Sequence, residues 1–310
     1  MAYMHPICEI LPLPDNQASF HVRGQERLRW HFDLKYQRPF FFPFNGPSGT
    51  SLTRMGHPGA TNHDHHRSVW FAHNNVNGFN FWSNQTKSRI RQKLWLRYLD
   101  GEKEAAMAVL LGWYDDNGSE ILEQELVAAL SPGPADGETF LELHSTFRPK
   151  GQKITLGKTN FGFLAVRVAK SVSAHFGGGQ LTNSHGMQGE PHLFAQSATW
   201  MDYSGPVPKT INSKQAIVTE GITYFDHPDN PRHPTHWHVR VDGWMGASFN
   251  LLEPLEVKKE NPLVLRYLLH AHKGPVDPDR AGYVQEIFAK KSGYLIRKAK
   301  VPHQQFEIVR

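Results

Sequence analysis

The segment that decides the fold is "AMAVLLGWYDDNGSEILEQELVAAL", residues 106–130. Two apolar runs flank the tetrapeptide Asp115–Gly118, and its Asn-Gly step accepts the positive φ that tight hairpin turns require. The second run, "EILEQELVAAL", has the composition of a helix when it is taken alone. The turn before it favours a returning strand, so the segment predicts an antiparallel hairpin.

Short aromatic and β-branched runs, separated by Gly, Pro, Asn and Asp, recur along the 310 residues. Their spacing is typical of antiparallel sheet, and no repeat or linker divides the chain. We therefore expect an all-β protein, with residues 1–310 forming a single twisted antiparallel β-sandwich domain. The one predicted helix is "DPDRAGYVQEIFAKKS" near the C-terminus, peripheral to the sandwich and capped by Asp277 or Asp279.

The charge distribution bears on the class of partner. The chain has 34 Lys and Arg against 29 Asp and Glu, and the basic residues are scattered, which argues against a nucleic-acid-binding face. No apolar run reaches the roughly 18 residues of a membrane span, and the start lacks the pattern of a signal peptide. The single cysteine, Cys8, excludes an intrachain disulfide. We expect a cytoplasmic protein that acts on a small molecule, and its oligomeric state stays open.

Histidine is the compositional outlier, with 19 residues. In a strand, residues two apart point to the same face, so a His-x-His pair presents two imidazoles to one ligand. The chain has three such pairs: His63/His65, His236/His238 and His270/His272. A divalent metal ion is one interpretation, and its candidate ligands are His63, His65, His236, His238 and His272. The local sequences match neither a His-x-His-x-Asp-His hydrolase nor a cupin.

The neighbouring side chains indicate a carbohydrate site. Arg54 and Arg67 can donate paired hydrogen bonds to a carboxylate or to vicinal hydroxyls. Sugar chemistry needs a general acid or base, and Glu190 in the Gly-rich segment 182–194 is the preferred carboxylate. Three tryptophans offer flat apolar faces to a sugar ring: Trp70, Trp82 and Trp237.

Four segments together resemble the PmoA-like family: "RPFFFPFNGPSGTSLTR", "NHDHHRSVWFAHNNVNGFNFW", "ATWMDYSG" and "GITYFDHPDNPRHPTHWHVR". The resemblance covers roughly residues 20–290. Although the family is named after a methane oxygenase subunit, which is a membrane protein, nothing in this chain spans a bilayer. The resemblance implies a twisted β-sandwich similar to the galactose mutarotase supersandwich, and genes of the family often accompany sugar oxidoreductases and isomerases.

The resemblance also implies a set of site residues. The family pattern of Thr-Arg, His-x-His-His-Arg-Ser, Trp-His-x-Arg and a late His-x-Gly falls on Arg54, His63, His65, His66, Arg67, His238, Arg240 and His272. The chain departs from the family at two positions. Asn62 stands where an acidic residue is usual, and Asp64 stands where Pro is commoner.

The leading hypothesis is a carbohydrate-active enzyme that cleaves or epimerises a sugar, oxidised sugar or glycoside by acid–base catalysis. The expected catalytic residues are His63, His65, His66, Glu190 and His238. The expected substrate-binding residues are Arg54, Arg67, Trp82, Trp237, Arg240 and His272. Two alternatives stay open, a metal-dependent enzyme and a non-catalytic sugar-binding protein. In each case "NHDHHRS" and "THWHVR" are expected to border one pocket.

Overall fold

The computed structural model describes residues 5–310, and it confirms the all-β fold. The strands are β1 (Cys8–Leu13), β2 (Gln17–Val22), β3 (Gln25–His31), β4 (Phe40–Phe44), β5 (Val69–His73), β6 (Arg89–Leu99), β7 (Ala105–Tyr114), β8 (Glu120–Pro132), β9 (Thr139–Pro149), β10 (Lys153–Leu156), β11 (Gly162–Arg167), β12 (Gln180–Asn183), β13 (Trp200–Ile211), β14 (Lys214–Asp226), β15 (Trp237–Arg240), β16 (Trp244–Ala247), β17 (Leu255–Lys258), β18 (Leu263–Lys273), β19 (Leu295–Lys298) and β20 (Phe306–Val309). The helices are α1 (Ala174–Gly177), α2 (Glu190–Leu193), α3 (Pro278–Lys290) and a 3-10 turn (Thr61–His63).

Two antiparallel sheets of eight strands form the sandwich. The first sheet has the order β1-β2-β3-β4-β5-β11-β16-β15, and the second has the order β12-β13-β14-β18-β9-β8-β7-β6. Two small sheets, β10-β17 and β19-β20, complete the described strands. In the first sheet β1 to β5 follow one another in sequence order, but β5 is next to β11, which in turn is next to β16. The sheet therefore brings residues near positions 70, 165 and 240 close together.

The core lies between the inner faces of the two large sheets. Trp113 of the second sheet packs on Phe163 of the first with ring centroids 5.8 Å apart, and both are fully buried. The same apolar cluster continues through both sheets, as the alternation of apolar residues predicts. The division of the chain into domains stays a prediction.

The segment 106–130 is a hairpin, as predicted. Strands β7 and β8 pair from Ala105↔Leu130 to Tyr114↔Glu120. The Asp115 carboxylate accepts hydrogen bonds from the backbone N–H groups of Asn117 and Ser119, both at 2.9 Å, and Gly118 adopts a φ of +82°. Turn chemistry therefore outweighed the helical composition of the second run.

The C-terminal helix α3 is also confirmed. The Asp277 carboxylate accepts from the backbone N–H groups of Asp279 and Arg280, both at 3.1 Å, which caps the helix. Its apolar side packs on the outer face of the second sheet. No helix formed by residues 5–310 is both long enough and apolar enough to cross a membrane.

Several histidines are buried in the sandwich away from the surface and have a structural role. His270 bonds to Glu138 at 3.1 Å and His272 bonds to Asp202 at 2.8 Å, and all four side chains are buried on the second sheet. His73 is fully buried, and burial lowers its pKa to about 4. Burial has the same effect on His144 and His227, whose pKa values are also about 4.

The buried histidines determine in part how the free energy of unfolding depends on pH. The pKa values of His73, His144 and His227 in the folded state lie below the unfolded value of about 6.5, so the unfolded chain takes up protons first as the pH falls. The stability that these neutral imidazoles contribute to the folded state is complete above about pH 6.5 and is lost progressively as the pH falls toward 4. We expect the free energy of unfolding, measured by urea denaturation, to fall by at least about 2 kcal/mol between pH 7 and pH 4.5. A free energy that is constant across this range would contradict the assignment.

Candidate functional site

The candidate site lies on the outer face of the first sheet, where β5, β11, β16 and β15 are neighbours. One row of residues in register crosses these strands and contains Trp70, Ala165, Gly246 and His238. Two small residues stand between a tryptophan and a histidine. The indole of Trp244 lies over Gly246, where an added Cβ would be 3.3 Å from its Nε1, and it packs with Trp70, Ala165 and Trp82 in one buried cluster. Trp82 and Trp244 of this cluster also line the cleft.

A second row makes the polar part of the floor. Arg167 and Arg240 both pair in register with Trp244, which lies between them on β16. The surrounding loops supply the walls, among them His63, His65, His66, Trp82, Phe161 and Asp242. The resulting cleft has a volume of about 430 Å³, which is in the range of small-molecule sites. As predicted, "NHDHHRS" and "THWHVR" border one cleft.

An ion pair between Arg167 and Asp242 anchors one end of the cleft. Arg167 donates to both carboxylate oxygens, at 2.8 and 3.0 Å, and its side chain is fully buried. The Nδ1 of His57 accepts from the N–H of Gly59, so its Nε2 carries the proton and donates to Asp242 at 2.9 Å. Burial alone would raise the pKa of Asp242, but Arg167 and His57 lower it. Asp242 is therefore a carboxylate at neutral pH.

A second arginine, Arg38, holds the loops of the opposite wall together. Its guanidinium is buried and donates to the backbone carbonyls of Phe81, Trp82 and Ser83 at 3.0, 2.7 and 3.1 Å, and to that of His65 at 3.2 Å. Burial, with nearby arginines, lowers its pKa to about 9. The group stays charged at neutral pH, and it ties the loop that carries Trp82 to the loop that carries the histidines.

Three imidazoles of that loop cluster at the cleft. The ring of His66 lies 4.4 Å from that of His65 and 5.0 Å from that of His63, centroid to centroid. Burial and then the charge of Arg38 lower the pKa of His65 to about 4. Burial and then Arg167 lower the pKa of His66 well below its usual range. His65 and His66 are therefore neutral at pH 7.

His238 has the best-defined proton arrangement in the cleft. Its Nδ1 lies 3.0 Å from the carbonyl oxygen of Asn160, so Nδ1 carries the proton and Nε2 keeps a free lone pair. The ring packs against Phe161 at 5.2 Å and Trp244 at 5.6 Å between centroids. Burial and then the charge of Arg240 lower its pKa to about 4. Its lone pair is therefore an acceptor at neutral pH.

Glu190 lies beside the cleft and positions another residue. Its carboxylate accepts from Arg240 at 2.7 Å and from the backbone N–H of Val241 at 2.6 Å, and it does not line the cleft. Arg240 also stacks on Phe194, with its guanidinium carbon 4.5 Å from the ring centroid. The structure thus favours Glu190 as a positioning residue, with Asp242 as the carboxylate in the cleft.

The match to protein families covers this whole site. A model described as a family of unknown function, DUF6807, matches residues 17–285. The chain belongs to this family. The matched range includes every residue that lines the cleft, whereas β19 and β20 lie beyond it. None of the curated proteins compared with this DUF6807 member matches it. The resemblance to the PmoA-like family and to the galactose mutarotase supersandwich stays a prediction.

Several residues predicted to bind substrate in this DUF6807 chain do not line the cleft. Trp237 is a core residue that packs on Tyr224 and donates to the carbonyl of Ala198 at 2.9 Å. It points inward because its neighbour His238 points outward on the same strand. His272 lies on the second sheet, bonded to Asp202. The His270/His272 pair therefore lies apart from the cleft that His63, His65 and His238 line.

Two of the three arginines of the predicted binding set, Arg54 and Arg67, have structural partners. Arg54 donates to three backbone carbonyls, those of Val168, Gly56 and Asp242, at 3.0, 3.0 and 2.7 Å. The guanidinium carbon of Arg67 lies 5.2 Å from the ring centroid of Tyr36. Neither arginine lines the cleft. The structure favours a structural role for Arg54.

The donor set does not fit a metal ion. Among residues 5–310, no group of three or more His, Cys, Asp or Glu side chains has an arrangement that could hold one. His63 uses Nδ1 in a contact of 2.9 Å with the amide oxygen of Asn62, and His236 does not line the cleft. His238 and His272 lie on different sheets. The five candidate ligands therefore do not form one site.

The most informative residues that the sequence prediction missed are Arg167, Asp242 and Trp244. Asp242 lies in the Asp-Gly turn that follows β15, and Trp244 pairs in register with Arg240 on the returning strand β16. Like His238 and Arg240, both line the cleft. The Asp-Gly turn directly after the "THWHVR" motif was the signal for a hairpin, which places Trp244 opposite Arg240. Arg167 has no comparable signal.

The roles of two arginines can be separated by the same substitution. Arg54→Lys should destabilise the fold by about 1–3 kcal/mol, because one ammonium cannot replace a planar fork that reaches three carbonyls. Arg240→Lys should change stability by less than about 0.5 kcal/mol, because Arg240 is half-exposed. Urea denaturation of both variants measures the difference. Equal stability of the two variants would remove the structural role from Arg54.

Proposed function

We propose that this chain is a carbohydrate-active enzyme that binds a sugar, oxidised sugar or glycoside in the outer cleft of the first sheet. In this proposal His238 transfers a proton to or from the bound sugar. The observation that carries the proposal is the fixed orientation of His238, whose Nδ1 is held by a backbone carbonyl beside aromatic rings. A fixed tautomer with a free Nε2 is the arrangement of a general base.

The composition of the cleft supports a sugar as ligand. Trp82, Trp244 and Phe161 offer ring faces, which match the apolar C–H faces of a pyranose. The amides of Asn74 and Asn80 lie in the same cleft and both donate and accept hydrogen bonds. Hydroxyl groups need such two-way partners. The Asn80 amide oxygen already accepts from the backbone N–H groups of Trp82 and Ser83, whereas the Asn74 amide oxygen has no partner. An apolar ligand would leave the Asn74 oxygen unpaired at a cost in free energy.

The electrostatics favour proton transfer by imidazole over glycoside hydrolysis by two carboxylates. Among the described residues that line the cleft, Asp242 is the one carboxylate. It is bound by Arg167 and is ionised, so it has no proton to donate as a general acid. Hydrolysis by the usual pair of carboxylic acids needs a second group with a raised pKa. Epimerisation or elimination, which remove a proton from carbon, fit the imidazoles better.

A non-catalytic sugar-binding protein is the second candidate. A pKa of about 4 leaves His238 almost entirely unprotonated at pH 7 but makes it a weak base. If no bound group strengthens this base, the cleft binds a sugar without turning it over. The two candidates share the ligand and differ only in the chemical step.

Replacing His238 tests the chemical step. Sugars, uronic acids and aldonic acids are incubated with the protein in D2O, and one-dimensional NMR follows anomer exchange, deuterium incorporation at carbon and new products. With the active substrate, His238→Gln should lower the rate at least about 100-fold, because general-base catalysis contributes that much. Its affinity for the sugar should change less, because an amide keeps a hydrogen-bonding group in the cleft.

The matched control is His236→Gln, two residues before His238 and outside the cleft. It should keep the wild-type rate. Binding by the wild type without any change in the NMR spectra would favour the non-catalytic candidate. A rate that is equal in both variants and the wild type would remove His238 from the reaction.

A further inference from the structure

The cleft has more cationic than anionic groups around it. Arg38 and Arg54 lie behind its walls, and both guanidinium groups bond to backbone carbonyls instead of carboxylates. Carbonyl oxygens satisfy the N–H groups without neutralising the charge. The positive charge of both groups is therefore retained beside the cleft, and Arg38 contributes, after burial, to the lowered pKa of His65.

The arginines that line the cleft do not add uncompensated charge. Arg167 is paired with Asp242, and Arg240 is paired with Glu190. Each pair is close to neutral. The charges of Arg38 and Arg54 thus remain as an excess that a bound anion can balance.

Unpartnered hydrogen-bond donors in the walls act in the same direction. The Nε atom of Arg167 and the indole nitrogens of Trp82 and Trp244 are buried and have no acceptor. Each of these groups is a donor only. Of the unpartnered groups in the walls, the Asn74 amide oxygen is an acceptor and the His66 Nδ1 is either. Donors therefore outnumber acceptors among the unpartnered groups around the cleft, which favours an acceptor-rich ligand.

We propose that the ligand of this cleft is a carboxylated sugar, such as a uronic or aldonic acid, and that Arg240 binds its carboxylate. This inference rests on the proposed sugar-binding function and narrows it to one substrate class.

Arg240 is the arginine best placed to meet an anion that enters from solvent. Its side chain is 45% exposed, whereas that of Arg167 is 1% exposed. One of its nitrogens, Nη1, is held by Glu190, and its plane is fixed by stacking on Phe194. Its Nε and Nη2 make no hydrogen bond to any described residue. A guanidinium held in this way binds a carboxylate with two parallel hydrogen bonds at little further cost in entropy.

A bound carboxylate would also strengthen the base. Burial and then the charge of Arg240 lower the pKa of His238, and burial and then the charge of Arg167 lower that of His66. A negative charge bound by Arg240 offsets the contribution of that arginine and raises the pKa of His238. Binding of an ionised uronate or aldonate would thus bring the pKa of His238 closer to that of an effective general base. A neutral sugar would not.

The experiment compares sugars that differ only in the oxidation of C6. Isothermal titration calorimetry measures binding of D-glucuronate against D-glucose and of D-galacturonate against D-galactose. At least one acid should bind the wild type tenfold or more tightly than its neutral counterpart. Arg240→Gln should weaken binding of that acid about tenfold and leave the neutral sugar within about twofold.

The matched control is Arg297→Gln. Arg297 is also half-exposed and paired with a glutamate, Glu307, but it lies on β19 away from the cleft. It should leave both affinities unchanged. Equal affinity for acids and neutral sugars, or an equal loss for both in Arg240→Gln, would overturn the carboxylate inference and leave the proposed function standing. Failure of both acids and neutral sugars to bind at millimolar concentration would overturn both.

Discussion

The ion pair between the buried Arg167 and the half-buried Asp242 is the interaction on which the cleft depends. Arg167 belongs to β11, and Asp242 lies in the turn between β15 and β16. The Asp242 side chain also accepts from His57, and its carbonyl oxygen accepts from Arg54. One aspartate therefore joins two strands of the sheet to the loop before the histidine cluster. Removing the carboxylate would leave the Arg167 charge buried and unpaired, which is strongly unfavourable.

The cleft is built by residue size and by strand parity. Because side chains alternate along a strand, "WHVR" sends Trp237 and Val239 into the core and His238 and Arg240 to the outer face. Gly246 on the next strand leaves room for the indole of Trp244, which lies over it. Three strands and a few loops thus place four imidazoles, two guanidiniums and three aromatic rings around one cavity, while the sandwich below provides the rigid support.

The fold was predictable from local chemistry, and the site only in part. The Asn-Gly turn and the Asp277 cap each act within a few residues, so the hairpin and the C-terminal helix follow from the sequence. The convergence of "NHDHHRS" with "THWHVR" was also predicted. The roles of Trp237 and His272 were not predictable. The role of Trp237 depends on which face of its strand is turned outward, and that of His272 depends on which of the two sheets contains its strand. Glu190 was predicted to be the catalytic carboxylate because it lies in a Gly-rich segment. The partner that it binds, Arg240, is 50 positions away, so its positioning role could not be predicted from the local sequence.

The central claim is that this outer cleft binds a carboxylated sugar, and a crystal structure with a bound uronate tests it most directly. Crystals would be grown with whichever of D-glucuronate and D-galacturonate binds more tightly in solution. The account predicts density for the sugar ring beside Trp82 and Trp244, with its carboxylate within about 3 Å of the Arg240 guanidinium. Density for the acid in another pocket, with the cleft filled by water alone at saturating ligand, would contradict it.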